Sequence, residues 1–329
     1  MKWIAKAALQ KALSGLPGGE RVNYLLQRRL THGLPRGRAE IAEKFRCAAQ
    51  YLGLARRFGD WGGGPVRAYE FGCGWELAVA QALYLLGVER QVVVDLRPLL
   101  NWELVADAGG KLAAIAGELA QAGFSLPRDP AGPPPASRAD LRTRLGIAYQ
   151  APLDARATGL PAGSFDLIHS TEVLEHLPEP AGMLGLFDRM LRPDGLLLLS
   201  LPNDGNPLQD AARELHGLPP WWIAPPHHLN YFTIASITAL LTRQGFSPLH
   251  VQASFPMEFF LLMGENYVGD PALGRICHGR RKTFETALAA AGLGALKTKL
   301  YEQFAALGLG RTVQILARRV GPDDKERQA

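Results

Sequence analysis

A glycine bend at Gly72 and Gly74, directly after a short apolar strand that carries Glu70, is the feature that most constrains this chain. A stretch with helical spacing, Trp75–Leu86, separates the bend from a second apolar strand, Val92–Asp95. Two parallel strands joined by a helix form a βαβ unit, and ligands bind at the carboxyl ends of such strands. Because glycine lacks a Cβ, the backbone can approach a ligand closely at the bend. The pattern therefore predicts a nucleotide or nucleoside site here.

Charges around the bend indicate which ligand binds. Asp95 ends the second strand, where a carboxylate can accept hydrogen bonds from both ribose hydroxyls. A dinucleotide loop has the pattern GxGxxG and presents a helix N-terminus to a pyrophosphate, whereas this chain has Leu77 at the third glycine. Glu70 lies at the mouth of the bend, where its charge would repel a phosphate and favour an ammonium or sulfonium. These features favour S-adenosylmethionine (SAM), a phosphate-free adenosine with an amino group and a sulfonium.

Three later segments extend the pattern: Phe165–Ser170 (FDLIHS), Glu172–Leu177 (EVLEHL) and Leu191–Leu201 (LRPDGLLLLSL). The first is predicted to be a strand, and the last a turn followed by a buried strand at 196–201. Together with the glycine bend and the strand that ends at Asp95, they resemble the ordered motifs of class I SAM-dependent methyltransferases over roughly residues 66–253. The resemblance implies a Rossmann-like fold with SAM as the methyl donor.

The resemblance also implies which residues hold SAM. In that family the acidic glycine loop holds the methionine part, and the acid that ends the second strand binds the ribose. An Asp ahead of the fourth strand commonly meets the adenine amino group, and Asp154 matches it best. Glu76 stands where the family often has a third loop glycine. The predicted cofactor-binding residues are Glu70, Gly72, Cys73, Gly74, Asp95, Leu96, Asp154, Ala155 and Ser170.

Hydrophobic periodicity predicts a doubly wound, Rossmann-like α/β fold with seven strands and a helical N-terminal segment. In the resembled family the last two strands form an antiparallel hairpin, so the resemblance implies a largely helical insertion before the last strand. The last strand is the alternating segment Thr312–Arg318, which lies well beyond the preceding strand at 248–253. The insertion either caps the substrate pocket or forms a stabilising helical layer. The predicted organisation is a helical cap at 1–60, a SAM-binding core at 61–254, an insertion at 255–310, the last strand at 311–320 and a disordered tail at 321–329.

Composition limits the classes of protein and the cellular location that the chain is compatible with. With 329 residues, of which 47% are hydrophobic, the chain can bury a sizeable core. Apolar runs are too short for a membrane-spanning helix, and lysines interrupt the N-terminus where a signal peptide would be apolar. Cys47, Cys73 and Cys277 are too far apart for CxxC spacing, which supports neither a disulfide framework nor a zinc site. A reducing, cytoplasmic location is the simplest expectation.

The N-terminal part of the chain is strongly basic. Residues 1–67 contain thirteen Lys or Arg and four acids, so their net charge is +9 and the remainder carries −4. Such asymmetry is typical of contact with nucleic acid, an anionic membrane surface or an acidic substrate, but also of a solvated helical face. Nucleic acid is the weaker choice because no aromatic-interleaved RNA motif accompanies the charges. The expected partners are a small-molecule or glycan substrate and, through the basic N-terminus, anionic surfaces.

Methyl transfer to a hydroxyl requires a base near the acceptor. Histidine suits this role because its pKa lies near neutrality. His228 and His227, in the loop after the fifth strand, and Glu172, after the fourth, are the predicted catalytic residues, with His228 ranked first. His169 and His176 are expected to be structural. The spacing of acids and histidines indicates no metal site.

These observations predict a SAM-dependent methyltransferase that acts on a small molecule or glycan, at a hydroxyl oxygen. The first alternative is a C- or N-methyltransferase of a natural product, and the next is a nucleic-acid methyltransferase. A rival from another class is a non-catalytic SAM-fold partner or scaffold subunit. That rival predicts a damaged cofactor loop, whereas the loop and Asp95 are intact.

Overall fold

Alternating strands and helices build a single seven-stranded sheet in the order β3-β2-β1-β4-β5-β7-β6. The computed structural model describes residues 19–29, 33–61, 65–130, 132–225 and 228–321. The strands are β1 (Arg67–Phe71), β2 (Arg90–Val94), β3 (Ile147–Gln150), β4 (Phe165–Thr171), β5 (Leu191–Pro202), β6 (Phe246–Ala253) and β7 (Thr312–Arg319). Since β1 lies between β2 and β4, the strand order reverses there, as in doubly wound folds. The predicted fold class is confirmed.

Eleven α-helices are present among the described residues. They are α1 (Gly19–Arg29), α2 (Arg38–Phe58), α3 (Ala78–Leu85), α4 (Trp102–Gln121), α5 (Arg138–Leu145), α6 (Pro180–Met190), α7 (Pro207–His216), α8 (Ile234–Arg243), α9 (Glu258–Leu262), α10 (Pro271–Ala290) and α11 (Gly294–Ala306). None of the helices in this part of the chain is both long enough and apolar enough to cross a bilayer.

The described chain divides into two compact units. The first unit runs up to Ser170 and includes Gly185–Leu198 and the chain from Arg319; the second comprises Thr171–Leu184 and Leu199–Arg318. These boundaries differ from the domain organisation that the sequence predicts, which stays a prediction. Its terminal segments, residues 1–18 and 322–329, lie outside the described residues.

In the first unit, parallel pairing of β1 with β2 and β4, and of β2 with β3, forms the sheet. The long helix α2 covers part of it because its buried residues recur at helical spacing. Ile41, Phe45, Ala48 and Leu52 form this buried side and pack in one cluster with residues of α3 and α4. Within residues 1–60, the described part of the chain is therefore largely helical, as the sequence predicts, and consists mainly of α1 and α2.

In the second unit, β7 runs antiparallel to its neighbours. The Ser254 N–H, just after β6, donates to the Thr312 carbonyl oxygen at 2.8 Å, and the Asn203 N–H, just after β5, donates to the Arg311 carbonyl oxygen at 2.9 Å. The beginning of β7 thus lies beside the ends of both strands. The helices α9, α10 and α11 connect β6 to β7, so the insertion is helical as the sequence predicts.

Two elements begin elsewhere than predicted. Helix α3 begins at Ala78 rather than Trp75, because Leu77 adopts a left-handed conformation (φ 53°) that a helix cannot include. Strand β5 begins at Leu191 rather than 196, and the turn expected in its first residues lies inside it, at Asp194 (φ 60°). Both differences arise from single residues with positive φ, which local sequence patterns do not reveal.

We expect Gly146→Ala to destabilise the protein by about 2–4 kcal/mol. Gly146 ends α5 with φ 65°, and a Cβ there would overlap the Glu89 carbonyl oxygen just before β2. The matched control is Gly117→Ala in α4, where a Cβ meets open space and should stabilise by about 0.5–1 kcal/mol. Urea unfolding of the three proteins measures both effects. Equal stabilities of the two variants would contradict the geometry.

Candidate functional site

The glycine bend of the first unit adopts the conformation that its glycines allow. Gly72 and Gly74 have φ values of 78° and 72°, a region that favours glycine. The Gly72 N–H donates to the carbonyl oxygen of Val94, at the end of β2, at 2.9 Å. A Cβ built on Gly74 would meet no atom within 4 Å, so there is open space beside the bend.

Asp95 joins the bend to the end of β2. One carboxylate oxygen, Oδ2, accepts a hydrogen bond from the Gly74 N–H at 3.2 Å, and Oδ1 accepts one from the Arg97 N–H at 3.0 Å. Asp95 therefore holds the bend in shape beside the end of β2. Its contact with the ribose hydroxyls stays a prediction.

Glu70 lies at the end of β1, where one of its carboxylate oxygens lacks a partner. Oε2 is buried, and no described residue donates a hydrogen bond to it. Burial raises the pKa of Glu70 to about 7; the nearby Lys44 ammonium opposes this shift and the Asp95 carboxylate adds to it. A cationic ligand would provide the missing partner and favour the ionised form. The open space, the acceptors on Asp95 and the unpartnered Glu70 oxygen together fit SAM.

Glu76 and Leu77, which stand where related loops have a third glycine, are fixed by contacts within the first unit. Glu76 is buried and forms an ion pair with Arg36, with 2.5 Å between Oε1 and Nε. The Glu76 carbonyl oxygen also accepts a hydrogen bond from Gln81 Nε2 at 2.9 Å. These contacts fix the loop around Leu77, whose left-handed conformation would be easier for a glycine.

The loop after β3 carries the predicted adenine-binding residues. The Leu153 N–H donates to the Asp95 carbonyl oxygen at 3.0 Å, which brings this loop beside the end of β2. Asp154 caps the short 3₁₀ helix that begins at Ala155. Its carboxylate pairs with Arg156 at 2.6 Å, and the hydrogen bonds from Arg156 lower the pKa of Asp154. The adenine contact of Asp154 and Ala155 stays a prediction, with Arg156 already bound to the carboxylate.

The remaining predicted cofactor residues differ in exposure. Leu96 is exposed, Cys73 is half-buried, and burial raises the pKa of the Cys73 thiol. Ser170 is buried, and its Oγ has no hydrogen-bond partner among the described residues. The roles of these three residues in binding stay predictions.

His169 has the surroundings of a packed core residue. It is paired in register with Glu70 across β4 and β1, and its ring packs against Tyr51 with centroids 5.9 Å apart. Burial lowers its pKa to about 4, so the ring is neutral near pH 7. The structural role expected from the sequence agrees with this burial.

In the second unit, the EVLEHL segment forms a tight turn directly after β4. Glu172 has φ 55°, a left-handed conformation that costs a non-glycine residue about 1–3 kcal/mol and is typical of functional sites. Its N–H donates to the Ser200 carbonyl oxygen at 2.8 Å. The Glu175 carbonyl oxygen accepts hydrogen bonds from the N–H groups of Leu229 (2.8 Å) and Asn230 (3.0 Å). The turn is thus tied to the loop that carries His228.

These hydrogen bonds bring together Glu175, His176 and His228. Each offers one potential metal-ligand atom, and the three atoms all lie within 4.8 Å of one another. The two imidazole centroids are 4.9 Å apart, and His176 Nε2 lies 3.7 Å from Glu175 Oε1. Glu175 is completely buried, and neither carboxylate oxygen has a hydrogen-bond donor of normal geometry among the described residues. We call these three residues the Glu-His-His cluster.

Further carboxyl groups lie beside the Glu-His-His cluster. Burial, and then the neighbouring carboxyl group of Glu175, raises the pKa of Glu172; burial also raises the pKa of Glu175, and the Asp204 carboxylate adds to both shifts. Burial raises the pKa of Asp204 to about 6, against the opposing charge of Arg311. The ionised forms of these carboxyl groups repel one another, and a bound cation would offset that repulsion.

Part of this group is predicted from the sequence. His228 and Glu172 lie in or beside the Glu-His-His cluster, whereas His227 lies outside the described residues. Glu175 was missed and His176 was expected to be only structural. The available signal was the E-x-x-E-H spacing within EVLEHL, but nothing local indicates that a histidine about fifty residues later packs against it.

Comparison with known proteins assigns the family. A family model described as a methyltransferase domain matches residues 48–251, which is more than half of the chain. The chain therefore belongs to the methyltransferase-domain family. Its resemblance to class I SAM-dependent methyltransferases is thereby confirmed.

Curated relatives of this methyltransferase-domain chain match over a shorter stretch. The ubiquinone biosynthesis O-methyltransferase of Pseudomonas paraeruginosa is 30% identical over 114 residues, 33% of this chain and 49% of the relative. The protein of the same name from Nitrosococcus oceani is 32% identical over 102 residues, 30% of this chain and 43% of the relative. The chain thus spans about half or less of the length of the curated relatives that it matches.

Solved structures with similarity to the chain include a phosphoethanolamine N-methyltransferase 2 from Haemonchus contortus in complex with SAM. It is 18% identical with a TM-score of 0.44, and the match covers 91% of this chain and 60% of that one. A SAM-dependent methyltransferase from Mesorhizobium loti is also 18% identical, with a TM-score of 0.42, over 81% of this chain and 96% of that one.

We expect SAM binding to weaken as the pH falls through about 7, because Glu70 must lose its proton to meet the cation. The dissociation constant should rise toward about tenfold per pH unit below that value. Calorimetric titration between about pH 5.5 and 7.5 measures the slope, since the α-amino group of the ligand remains mostly protonated in this range. Glu70→Gln should flatten the profile, whereas the exposed control Glu43→Gln should keep it. An unchanged slope in Glu70→Gln would refute the assignment.

We expect Asp95→Ala to weaken SAM binding by about 1.5–3 kcal/mol, because hydrogen bonds to a charged carboxylate are lost. The loop loses its bond to the Gly74 N–H in the same variant. Asp60→Ala, which removes an exposed carboxylate of the same unit, is the control and should bind like the wild type. Calorimetry gives the dissociation constants, and equal values for Asp95→Ala and the wild type would exclude the ribose role.

Proposed function

We propose that the protein transfers the methyl group of SAM to a hydroxyl oxygen of a small-molecule or glycan acceptor. The observation that carries the proposal is the Glu-His-His cluster, in which Glu175 is completely buried, with Glu172 beside it. A hydroxyl must lose its proton when it attacks a methyl group, and this group of side chains offers bases for that step.

In the proposed reaction, the first unit holds the donor. The Glu70 carboxylate faces the positive charge of SAM, and Asp95 accepts hydrogen bonds from the ribose hydroxyls. The glycine bend lets the backbone lie close to the methionine part. These residues orient the donor, and orientation is what an in-line displacement requires.

The second unit provides the proton acceptors. As the new oxygen–carbon bond forms, the sulfur–carbon bond breaks, and S-adenosylhomocysteine leaves with the electron pair on sulfur. The hydroxyl proton passes to His228 or to the carboxylate of Glu172. The raised pKa of Glu172 supports this role, because it makes the carboxylate a stronger base.

We also infer that the Glu-His-His cluster holds a divalent cation. Glu175 has two buried oxygens without normal donors, and a carboxylate with two imidazoles is a donor set that suits several divalent metals. A bound cation would lower the pKa of an acceptor hydroxyl. The residues of the cluster would then position the ion, and Glu172, which is outside the cluster, would receive the proton.

The names of the curated relatives support oxygen as the acceptor atom. Those proteins are O-methyltransferases of ubiquinone biosynthesis. We extend only the hydroxyl chemistry to this chain, because the match covers less than half of each relative. Proton-accepting side chains also favour oxygen over an acceptor that is already a strong nucleophile, such as a neutral amine.

We expect Glu175→Gln to abolish tight binding of Mn²⁺ and to lower methyl transfer at least about a hundredfold, as for loss of an essential acid–base or metal group. The protein is first treated with a chelator, and Mn²⁺ binding is measured by electron paramagnetic resonance. Transfer is measured with radiolabelled SAM and a panel of phenols and sugars. His278→Gln, a histidine outside the cluster, is the matched control and should behave like the wild type.

We expect His228→Ala to lower turnover without changing SAM affinity, because His228 is not among the residues proposed to hold SAM. If chelation leaves turnover intact but His228→Ala removes it, His228 acts as a base without a metal. Unchanged turnover in both His228→Ala and Glu175→Gln would contradict the proposed acceptor chemistry. No binding of SAM at millimolar concentration would instead favour a scaffold protein.

A further inference from the structure

An apolar stripe runs along one side of helix α11 and the residue before it. Leu293, Leu296, Leu300 and Leu307 recur at intervals of three, four and seven residues, so they lie along one side of the helix. Three of these leucines are exposed, with 41% (Leu293), 54% (Leu296) and 67% (Leu307) of their surface accessible, and Leu300 is partly buried. We call these four residues the leucine stripe.

Helix α11 is attached to the second unit by its opposite side. Tyr301 and Ala305 are buried there. The Tyr301 hydroxyl donates to Glu285 Oε1 of α10 at 2.8 Å. Phe304, at the edge of the stripe, also anchors the helix, because its ring meets Phe259 of α9 with centroids 5.8 Å apart. The leucine stripe is therefore not needed to hold the helix in place. Large exposed apolar residues in a row are typical of an interaction surface.

Basic residues accompany the leucine stripe. Residues 271–307, which include the whole stripe, contain six Lys or Arg and two acids, which is a net charge of +4. Arg280 and Arg281 form ion pairs with Glu265 and Glu285. Lys297 and Lys299 follow Leu296 by one and three residues, so helical geometry puts them on the two sides of the stripe. The surface is thus apolar along its middle and positive along both edges.

The charges decide between occupants of this surface. In a second copy of the chain packed on the same stripe, lysines would meet lysines, because both edges are positive. An anionic lipid surface instead offers an apolar layer below negatively charged headgroups, which matches a leucine stripe flanked by lysines. The surface also lies outside residues 48–251, the part that matches the family model.

We propose that the leucine stripe and its flanking lysines dock the protein on an anionic membrane surface. The leucines enter the boundary between headgroups and acyl chains, and Lys297 and Lys299 bind lipid phosphates. The proposal does not depend on the reaction that the protein catalyses. It also differs from the expectation that the basic N-terminus makes this contact.

The test is co-sedimentation of the full chain with vesicles of phosphatidylglycerol and phosphatidylcholine, and with phosphatidylcholine alone. We expect binding to the anionic vesicles that declines as the salt concentration rises. The double variant Leu296→Gln/Leu307→Gln should bind at least about tenfold less, because each leucine buries apolar surface in the bilayer. Lys297→Gln and Lys299→Gln should each reduce binding about fivefold.

Matched controls separate this surface from others. Leu215→Gln removes an exposed leucine of α7 and should bind like the wild type. Substitution of Lys2, Lys6 and Lys11 by Gln should also leave most binding intact. The stripe variants should keep the wild-type melting temperature, since their side chains are exposed.

Three results would overturn the proposal. The first is equal vesicle binding by the wild type and the folded double leucine variant. The second is loss of binding only in the N-terminal lysine variant. The third is a wild-type dimer in light scattering that Leu296→Gln dissociates, because a second copy of the chain would then cover the stripe.

Discussion

Carboxylates removed from water without a matching cation are the constraint on which both candidate sites depend. Glu70 in the first unit and Glu175 in the second each have buried oxygens that no described residue satisfies with a normal hydrogen bond. Burial of an unpaired charge is costly, so such groups either keep a proton or acquire a positive partner. The raised pKa values of both residues express that cost. A sulfonium at the first place and a divalent cation at the second would each remove it.

The glycine bend keeps its shape although a glycine typical of such loops is missing. Hydrogen bonds from Gly72 to Val94 and from Gly74 to Asp95 join it to the end of β2. The ion pair of Glu76 with Arg36 holds the place where the family often has a glycine. A side-chain contact from Arg36 thus stabilises a loop conformation that a glycine would adopt more easily. Arg36 belongs to the same unit as the predicted cofactor residues.

Much of this could be predicted from the sequence, because the relevant signals are local. Alternation of apolar residues indicated the strands, helical spacing indicated α2 and the insertion, and glycines next to Glu70 and Asp95 indicated a SAM site. The starts of α3 and β5 were predicted wrongly, since positive φ values at Leu77 and Asp194 depend on surrounding contacts. The same applies to Glu172, whose residue type gives no sign of its left-handed conformation.

The amino-acid sequence by itself determined the α/β fold, the glycine bend with its two carboxylates, and the family. Only the tertiary structure decided that Glu175 and His176 meet His228. The physical reason is that the backbone N–H groups of Leu229 and Asn230 bind the Glu175 carbonyl oxygen, and these bonds join segments about fifty residues apart. Periodicity and residue type describe neighbours along the chain, whereas a ligand set depends on neighbours in space.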